Sequence, residues 1–141
     1  MIIVVDCNVV ISAGLAGGLP QQLLCSLLAN HQLIVTPAIL EEYRGVAARP
    51  KFAKHTDKLS ALIDQIVNVA EQVDDLPSTF SLPDQDDEIY LAAASTAGAR
   101  YLVTGNIKHF PDSPYGEVEI VSVRDLATQL ELGINAPLAT F

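Results

Sequence analysis

The stretch MIIVVDCNVVIS, residues 1–12, decides the fold that this chain is expected to adopt. Its residues 2–5 are four consecutive aliphatic side chains, and the run stops at the acidic residue Asp6. A short apolar run of this kind is typical of a strand that is covered on both faces, as strands of parallel sheets are. We therefore predict a buried strand over residues 2–5, with Asp6 just beyond its carboxyl end.

Three similar apolar runs follow along the chain, and helical patterns separate them. The runs are residues 33–36, 101–104 and 119–123. Five helices are predicted. The first begins near Pro20 and the second at Pro37, and the others cover 57–73, 87–97 before Gly98, and 124–132 before Gly133. This alternation predicts an α/β fold in which a mainly parallel sheet carries helices on both faces. In such sheets, ligands bind at the carboxyl ends of the strands.

The length and charge of the chain limit what it can do. Its 141 residues are the length of one domain, so we predict a single domain over residues 1–141. Seventeen acidic residues against eight basic ones give a net charge of −9, which argues against non-specific binding to nucleic acid. The charge does not exclude a nuclease, because carboxylates that hold metal cations contribute to it.

The sequence shows no feature that directs it to a membrane. Its N-terminal apolar run has neither a basic leader nor a cleavage pattern, and no apolar run approaches the roughly 20 residues that span a bilayer. We expect a cytoplasmic protein with no membrane association. In that compartment Cys7 and Cys25 would be reduced, and we expect both to pack in the core.

Acidic and polar residues follow the first two predicted strands. Asp6 and Asn8 come directly after the first strand, although a cap of the following turn is the alternative role for Asp6. Glu41 and Glu42 lie in the first turns of the helix after the second strand. Helical spacing places Glu42 on the apolar face with Ile39, while Glu41 points away. The alternative for Glu42 is an ion pair with an arginine at the rim of that face.

An acidic run opens the predicted helix over 87–97. Residues 84–88 read DQDDE, with four acids in five positions. Capping and the helix dipole account for one or two of these acids, whereas a bound cation relieves the repulsion among all four. Carboxylate oxygens of this kind suit Mg²⁺ or Mn²⁺. Metal binding is therefore the favoured interpretation of Asp84, Asp86 and Asp87, and capping alone is the alternative.

Polar residues also follow the strand predicted over 101–104. Thr104 and Asn106 could orient a carboxylate, while Lys108 and His109 could contact phosphate. Each has an ordinary alternative: Thr-Gly-Asn favours turns, Lys108 can be merely solvated, and a histidine beside Phe110 is usually a surface or packing residue. No Cys-x-x-Cys, Walker A or Gly-x-Gly-x-x-Gly pattern occurs, so the sequence predicts neither a zinc site nor a nucleotide site.

Taken in order, these segments resemble the motifs of PIN-domain proteins. They are Asp6-Cys7-Asn8-Val9-Val10-Ile11-Ser12, Glu42-Tyr43 followed by Arg49-Pro50-Lys51-Phe52, Asp84-x-Asp86-Asp87 with Leu91, and Val103-Thr104-Gly105-Asn106. The chain is most similar to the VapC-like ribonucleases of toxin–antitoxin systems, over roughly residues 2–123. This resemblance implies a three-layer α/β/α sandwich, cleavage of RNA with Mg²⁺ or Mn²⁺, a cognate antitoxin and a homodimer.

The resemblance also implies roles for individual residues. Asp6, Glu42 and Asp87 correspond to the first three acids of the family, which hold the metal. The supporting positions are Asn8, Asp84, Asp86, Thr104 and Asn106, and Glu88 replaces Asp87 if the alignment shifts by one residue. Many relatives carry Asp where this chain has Asn106. We therefore predict one well-formed metal site and leave a second ion open.

The implied reaction is phosphodiester hydrolysis, in which metal ions polarise a phosphoryl oxygen, lower the pKa of water and stabilise the leaving oxygen. Two alternatives stay open. A PIN-like module with weak or no catalysis would bind only a protein partner, and Asn106 and the acidic charge favour it. A phosphatase of the haloacid dehalogenase type is less favoured, because Asn8 stands where that class needs a second Asp.

Overall fold

A computed structural model describes residues 1–132 of the chain. Within them, the strands are β1 Ile2–Val5, β2 Gln32–Val35, β3 Glu71–Gln72, β4 Tyr101–Val103 and β5 Glu119–Val121. The α-helices are α1 Cys7–Ala16, α2 Gly18–Asn30, α3 Pro37–Ala47, α4 Thr56–Val69, α5 Glu88–Ala97 and α6 Val123–Gln129. Short 3₁₀ helices cover Pro50–His55, Gln85–Asp87 and Ile107–His109.

The strands form one parallel sheet in the order β3-β2-β1-β4-β5. Strand β1 lies in the centre, where Ile3, Val4 and Val5 are fully buried. Burial on both faces explains why this strand is a continuous apolar run instead of an alternating one. Helices flank the sheet, which confirms the predicted three-layer α/β/α architecture.

Parallel pairing brings the carboxyl ends of β1 and β4 together. Val5 pairs with Val103, and the N–H of Asp6 extends the ladder by donating to the carbonyl oxygen of Val103 over 2.9 Å. Asp6 and Thr104 are therefore the first residues beyond two neighbouring strands. They lie at the edge of the sheet where α/β folds bind their ligands.

Helix α1 begins directly after Asp6, although the sequence pattern predicted no helix there. Its β-branched residues favour a strand, and Val9, Val10 and Ile11 are all buried, so only Asn8 and Ser12 mark the helical period. Helices α1 and α2 meet at a bend of 116°. Among residues 1–132, no single helix is long and apolar enough to cross a bilayer, and α1 with α2 reaches that length only as this bent pair.

The helix predicted over 57–73 is too long, because α4 ends at Val69 and the chain continues as β3 beside β2. Ala70 and Val73 fit the helical spacing, yet they pack against the core from outside the helix. Helix α5 ends at Gly98, as predicted, and that glycine has a φ of 70°. The last predicted helix, over 124–132, is also too long, because α6 ends at Gln129, while the predicted stop residue Gly133 lies outside the described residues.

The two cysteines occupy different environments. Cys7 is buried, as predicted, at the start of α1. Cys25 is exposed on α2, so the prediction that it packs in the core is wrong. The neighbouring Leu24 and Leu27 carry the buried face of that helix, and Cys25 falls on the other side.

Candidate active site

The carboxyl edge of the sheet opens into a cleft of about 500 Å³. Three acids that were expected from the sequence line it: Asp6 after β1, Glu42 on α3 and Asp87 before α5. Asp84 and Asp86 line the cleft as well. The fold therefore gathers five carboxylates from three separate parts of the chain into one concave surface.

Asp6 is the most buried of these acids, with only 5% of its surface exposed. The hydroxyl of Thr104 donates a hydrogen bond to its Oδ2 over 2.7 Å, whereas the side chain does not cap the helix that follows. Burial raises the pKa of Asp6, because it outweighs the opposing effects of Thr104 and of the neighbouring backbone of Cys7 and Asn8. The ionised carboxylate is therefore under-compensated, and a cation in the cleft would stabilise it.

Helix α3 turns Glu42 toward the cleft. Its N-terminus is capped by the hydroxyl of Thr36, and the fully buried Tyr43 donates its hydroxyl to the carbonyl oxygen of Val5 over 2.5 Å. These two contacts fix the rotation of the helix. Glu42 is half-buried in the cleft while Glu41 is exposed outside it, which is the arrangement that the helical spacing predicted.

The hydroxyl of Tyr90, on α5, donates a hydrogen bond to Oε1 of Glu42. Burial raises the pKa of Glu42, and the negative charges of Asp6 and Asp86 add to this effect, against the opposing effect of the tyrosine. Tyr90 is fully buried and its own pKa is raised by burial, so it stays a neutral donor. The ion pair between Glu42 and an arginine is not found among residues 1–132.

Asp87 ends the short 3₁₀ helix that leads into α5, and α5 begins at Glu88, one residue later than the sequence predicted. Asp84 caps this turn, accepting the N–H of Asp86 over 3.0 Å. Burial raises the pKa of Asp87 and the charge of Asp6 raises it further, while His109 lowers it. Asp84 therefore caps the turn and also lines the cleft with Asp87, so capping alone does not describe the acidic run.

His109 is the one site residue that the sequence pattern left as a surface or packing histidine. Its Nδ1 lies 2.9 Å from Oδ2 of Asp87. In the described part of the chain, one set of three metal-ligating side chains has ligand atoms that all lie within 4.8 Å of one another, and it consists of Asp84, Asp87 and His109. Asp6 and Glu42 line the same cleft outside that set. Only the position of His109 soon after β4 could have indicated its role.

The supporting residues divide between the cleft and its surroundings. Asn8 lines the cleft, and its Oδ1 accepts a backbone N–H from the loop after β4 over 3.2 Å. Asn106 is exposed and does not line the cleft, and its N–H donates to Oγ1 of Thr104 over 3.0 Å. Glu88 also lies off the cleft, where it accepts the N–H of Leu82 over 3.0 Å. This geometry favours Asp87 over Glu88.

The donor set of the cleft fits a hard divalent cation. Carboxylate oxygens are the ligands that Mg²⁺ and Mn²⁺ prefer, and burial raises the pKa of Asp6, Glu42 and Asp87 alike. A cation would compensate for that burial and for the repulsion among the acids. Burial raises the pKa of Cys7, beside them, to about 12, so its thiol stays protonated and offers no thiolate.

Known proteins share this architecture. A chain in the structure of VapBC2 from Rickettsia felis, bound to a DNA fragment from their promoter, is similar with a TM-score of 0.63 and 19% identity, over 86% of this chain and 98% of that chain. A chain of VapBC-1 from nontypeable Haemophilus influenzae has a TM-score of 0.57 and 15% identity, over 88% and 99%. No protein with a curated description matches. The PIN domain family model matches residues 2–108, well over half of the chain, and the protein therefore belongs to the PIN domain family.

Proposed function

We propose that this chain is an endoribonuclease that hydrolyses RNA phosphodiester bonds with a divalent cation, Mg²⁺ or Mn²⁺, and that it is the toxin of a toxin–antitoxin pair. The observation that carries the proposal is the convergence of Asp6, Glu42 and Asp87 on one cleft. Membership of the PIN domain family supports it, because PIN domains are typically nucleases. The similarity to chains of two VapBC structures supports the toxin assignment.

In this proposal Asp6, Glu42 and Asp87 hold the cation, which would activate water and stabilise the negative charge that develops on the phosphate. Two other residues of the chain position these ligands. Thr104 orients Asp6 and Tyr90 orients Glu42, each through a hydroxyl hydrogen bond. Such partners fix the direction of a ligand and raise its affinity for the metal.

The acids around these three ligands set the local charge. Asp84 and Asp86 add negative charge to the cleft, and His109 contacts Asp87 through Nδ1. Asn106 adds no charge and lies off the cleft. We therefore propose one well-formed cation site, and the number of ions beyond it stays open.

A cognate antitoxin, a homodimer and a cytoplasmic location belong to the same proposal. The two VapBC structures support the antitoxin partner, because each holds a chain with this fold within a VapBC assembly. Co-expression of this chain with its genomic neighbour, followed by co-purification, would test that partner. Light scattering of the purified chain would test the dimer.

The activity is tested by incubating the purified chain with a panel of structured and single-stranded RNAs in Mn²⁺, in Mg²⁺ and in chelator. We expect cleavage that requires the cation and disappears in Asp6→Asn and Asp87→Asn. Thermal melting in chelator should show that both variants stay folded. Undiminished cleavage by Asp6→Asn, or cleavage in chelator, would contradict the proposal.

A second candidate function is a PIN-like module that binds a protein partner with weak or no catalysis. The neutral Asn106 and the net charge of −9 favour it. Metal-titration calorimetry separates the two functions, because the module predicts no heat of binding at millimolar Mg²⁺ or Mn²⁺. A phosphatase would instead turn over a generic phosphate ester without cleaving RNA.

A further inference from the structure

The eight basic residues are concentrated in one part of this acidic chain. Four of them lie within residues 49–58: Arg49, Lys51, Lys54 and Lys58. Asp57 is the one acid among these ten residues, so this basic segment carries a charge of 4 − 1 = +3. The rest of the chain therefore carries a charge of −12, which together with this segment gives the net charge of −9.

The fold places the start of the basic segment against the acids. Arg49, Lys51 and Phe52 line the same cleft as Asp6 and Glu42. Arg49 also lines an adjoining hollow of about 560 Å³, which shares Glu42 with the cleft. Together the two concave surfaces offer a path across the acids that is longer than the metal site alone. They join along four shared residues, Glu42, Val46, Arg49 and Asp86.

The cations at this junction are available to an external anion. Among residues 1–132, Arg44 is the one lysine or arginine that lies within 4.0 Å of a carboxylate, at 2.8 Å from Asp64. Arg49 and Lys51 are exposed, and neither reaches a carboxylate of the described residues within that distance although five line the cleft. Phosphate groups are the natural partners for exposed cations beside a phosphodiesterase site.

Phe52 adds an aromatic surface to these charges. Its ring is half-buried and packs against the core, so it is held in place, and Nζ of Lys51 lies 5.1 Å from the ring centroid. A fixed aromatic ring beside a track of cations is the combination that holds single-stranded nucleic acid, because bases stack on the ring while phosphates contact the cations. Bases inside a duplex are not free to stack in this way.

We infer that Arg49, Lys51 and Phe52 form a docking site for a single-stranded stretch of RNA, which they position over the carboxylates. This inference rests on the proposed function and specifies its substrate. Arg49 and Lys51 offset the repulsion between the acidic cleft and the RNA backbone, while Phe52 receives an unpaired base. All three are positioning residues, since they act on the substrate away from the scissile bond.

The test measures the binding of a fluorescent single-stranded RNA by anisotropy over a series of salt concentrations. Every protein carries Asp6→Asn, so that the RNA stays intact. We expect Phe52→Leu to weaken binding about tenfold. Phe52→Tyr should keep the parent affinity, because tyrosine also stacks on bases. In the double variant Arg49→Ala/Lys51→Ala, the slope of log K against log salt should fall by about 1.4, or roughly 0.7 for each lost phosphate contact.

The double variant Lys54→Ala/Lys58→Ala is the matched control, because it removes the same two charges from the basic segment at residues that do not line the cleft. Its affinity should stay within twofold of the parent. Three results would overturn the docking site. The first is no binding of the single strand, and the second is equal affinity for a duplex of the same sequence. The third is equally tight binding of polyglutamate with an affinity that Phe52→Leu does not change.

The two proposals can fail separately. A native chain that does not cleave RNA, while the docking variants lose single-strand binding as expected, would contradict the nuclease and support the docking site. A chain that cleaves RNA, while Phe52→Leu and the double variant bind it normally, would overturn the docking site alone.

Discussion

The hydroxyl of Thr104 donates a 2.7 Å hydrogen bond to Oδ2 of Asp6 and so joins two residues that are 98 positions apart in the chain. Each follows a strand directly, and the register of β1 on β4 brings the two together. Thr104 is fully buried, and its oxygen also accepts the N–H of Asn106. One side chain therefore aims the most buried acid of the cleft and shapes the loop beside it.

Thr104→Val should weaken metal binding without abolishing the fold. Valine keeps the shape of the side chain but leaves Asp6 without its donor, and loss of such a partner costs about 10–100-fold in metal affinity. Because the carboxylate of Asp6 is buried, the loss of its donor should also lower the free energy of unfolding by about 1–3 kcal/mol. Mn²⁺ titration calorimetry and urea unfolding measure the two effects. Thr104→Ser keeps the hydroxyl and should resemble the native chain, and native affinity in the valine variant would contradict the assigned role.

The sequence predicted the acids of the cleft better than their partners. Asp6 follows a buried strand and Glu42 lies on the inner face of a helix, so strand order and helical period were enough to bring both to one edge. The hydrogen bond from Tyr90 and the contact from His109 join α5 to α3 and to the loop after β4. Those pairings depend on tertiary packing, which no local pattern records.

The same distinction applies to the fold. Strands β1, β2, β4 and β5 were predictable because burial on both faces produces short apolar runs. Helix α1 was not, since most of its residues are buried and its polar face consists of Asn8 and Ser12 alone. Strand β3 has only Glu71 and Gln72, both exposed, and its place in the sheet comes from the end of α4 and not from its own composition.

Gly14 marks a close approach of α1 to α4 that can be tested by stability. A Cβ atom at Gly14 would lie 2.5 Å from Cδ2 of Leu59, which is itself fully buried. Overpacking of this kind costs about 1–3 kcal/mol, against about 0.5–1 kcal/mol gained from alanine in a helix. Gly14→Ala should therefore lower the free energy of unfolding by about 1 kcal/mol, measured by urea denaturation.

The matched control is Gly45→Ala in α3, where an added Cβ meets nothing within 4 Å. That variant gains helix propensity without a clash, so it should raise the free energy of unfolding by about 0.5–1 kcal/mol. Equal stabilisation by Gly14→Ala would show that Leu59 moves aside freely, contrary to tight packing between the two helices.

The raised pKa values of Asp6, Glu42 and Asp87 predict how the stability of the chain in chelator changes with pH. These carboxyl groups bind protons more tightly in the folded chain than in the unfolded chain. Their contribution is present below the unfolded pKa values, at about pH 4, and is lost as the pH rises through the raised values. The free energy of unfolding should therefore fall over this range, as urea denaturation at successive pH values would show.

Asp6→Asn removes the most buried of the three titrating groups, so its stability should fall less as the pH rises. Near pH 7 in chelator it should be at least as stable as the native chain. Saturating Mn²⁺ should stabilise the native chain by about 2.7 kcal/mol at 100 times the dissociation constant, and should stabilise the variant much less. A native chain that becomes more stable from pH 4 to pH 7 in chelator would contradict the raised pKa values.

Glu42 and Glu41 offer a paired test of the metal site, because they are adjacent acids on one helix that differ in direction. Glu42 lines the cleft and accepts the hydroxyl hydrogen bond of Tyr90, whereas Glu41 is exposed outside the cleft. Glu42→Gln keeps the size of the side chain and removes a charged ligand. Since a bound metal contributes several kcal/mol to the stability of the transition state, RNA cleavage should fall by about 100-fold or more.

Glu41→Gln removes the same charge one residue away, from the wall of the adjoining hollow and not from the cleft. It should leave cleavage within about twofold of the native rate, because an exposed carboxylate that does not face the metal site contributes only a weak, screened field. Both rates would be measured with one RNA substrate at saturating Mn²⁺, after thermal melting has shown that both variants fold. Equal losses would indicate that overall negative charge, and not coordination, governs activity. An unchanged rate in Glu42→Gln would remove that residue from the metal site and leave Asp6 and Asp87 as its ligands.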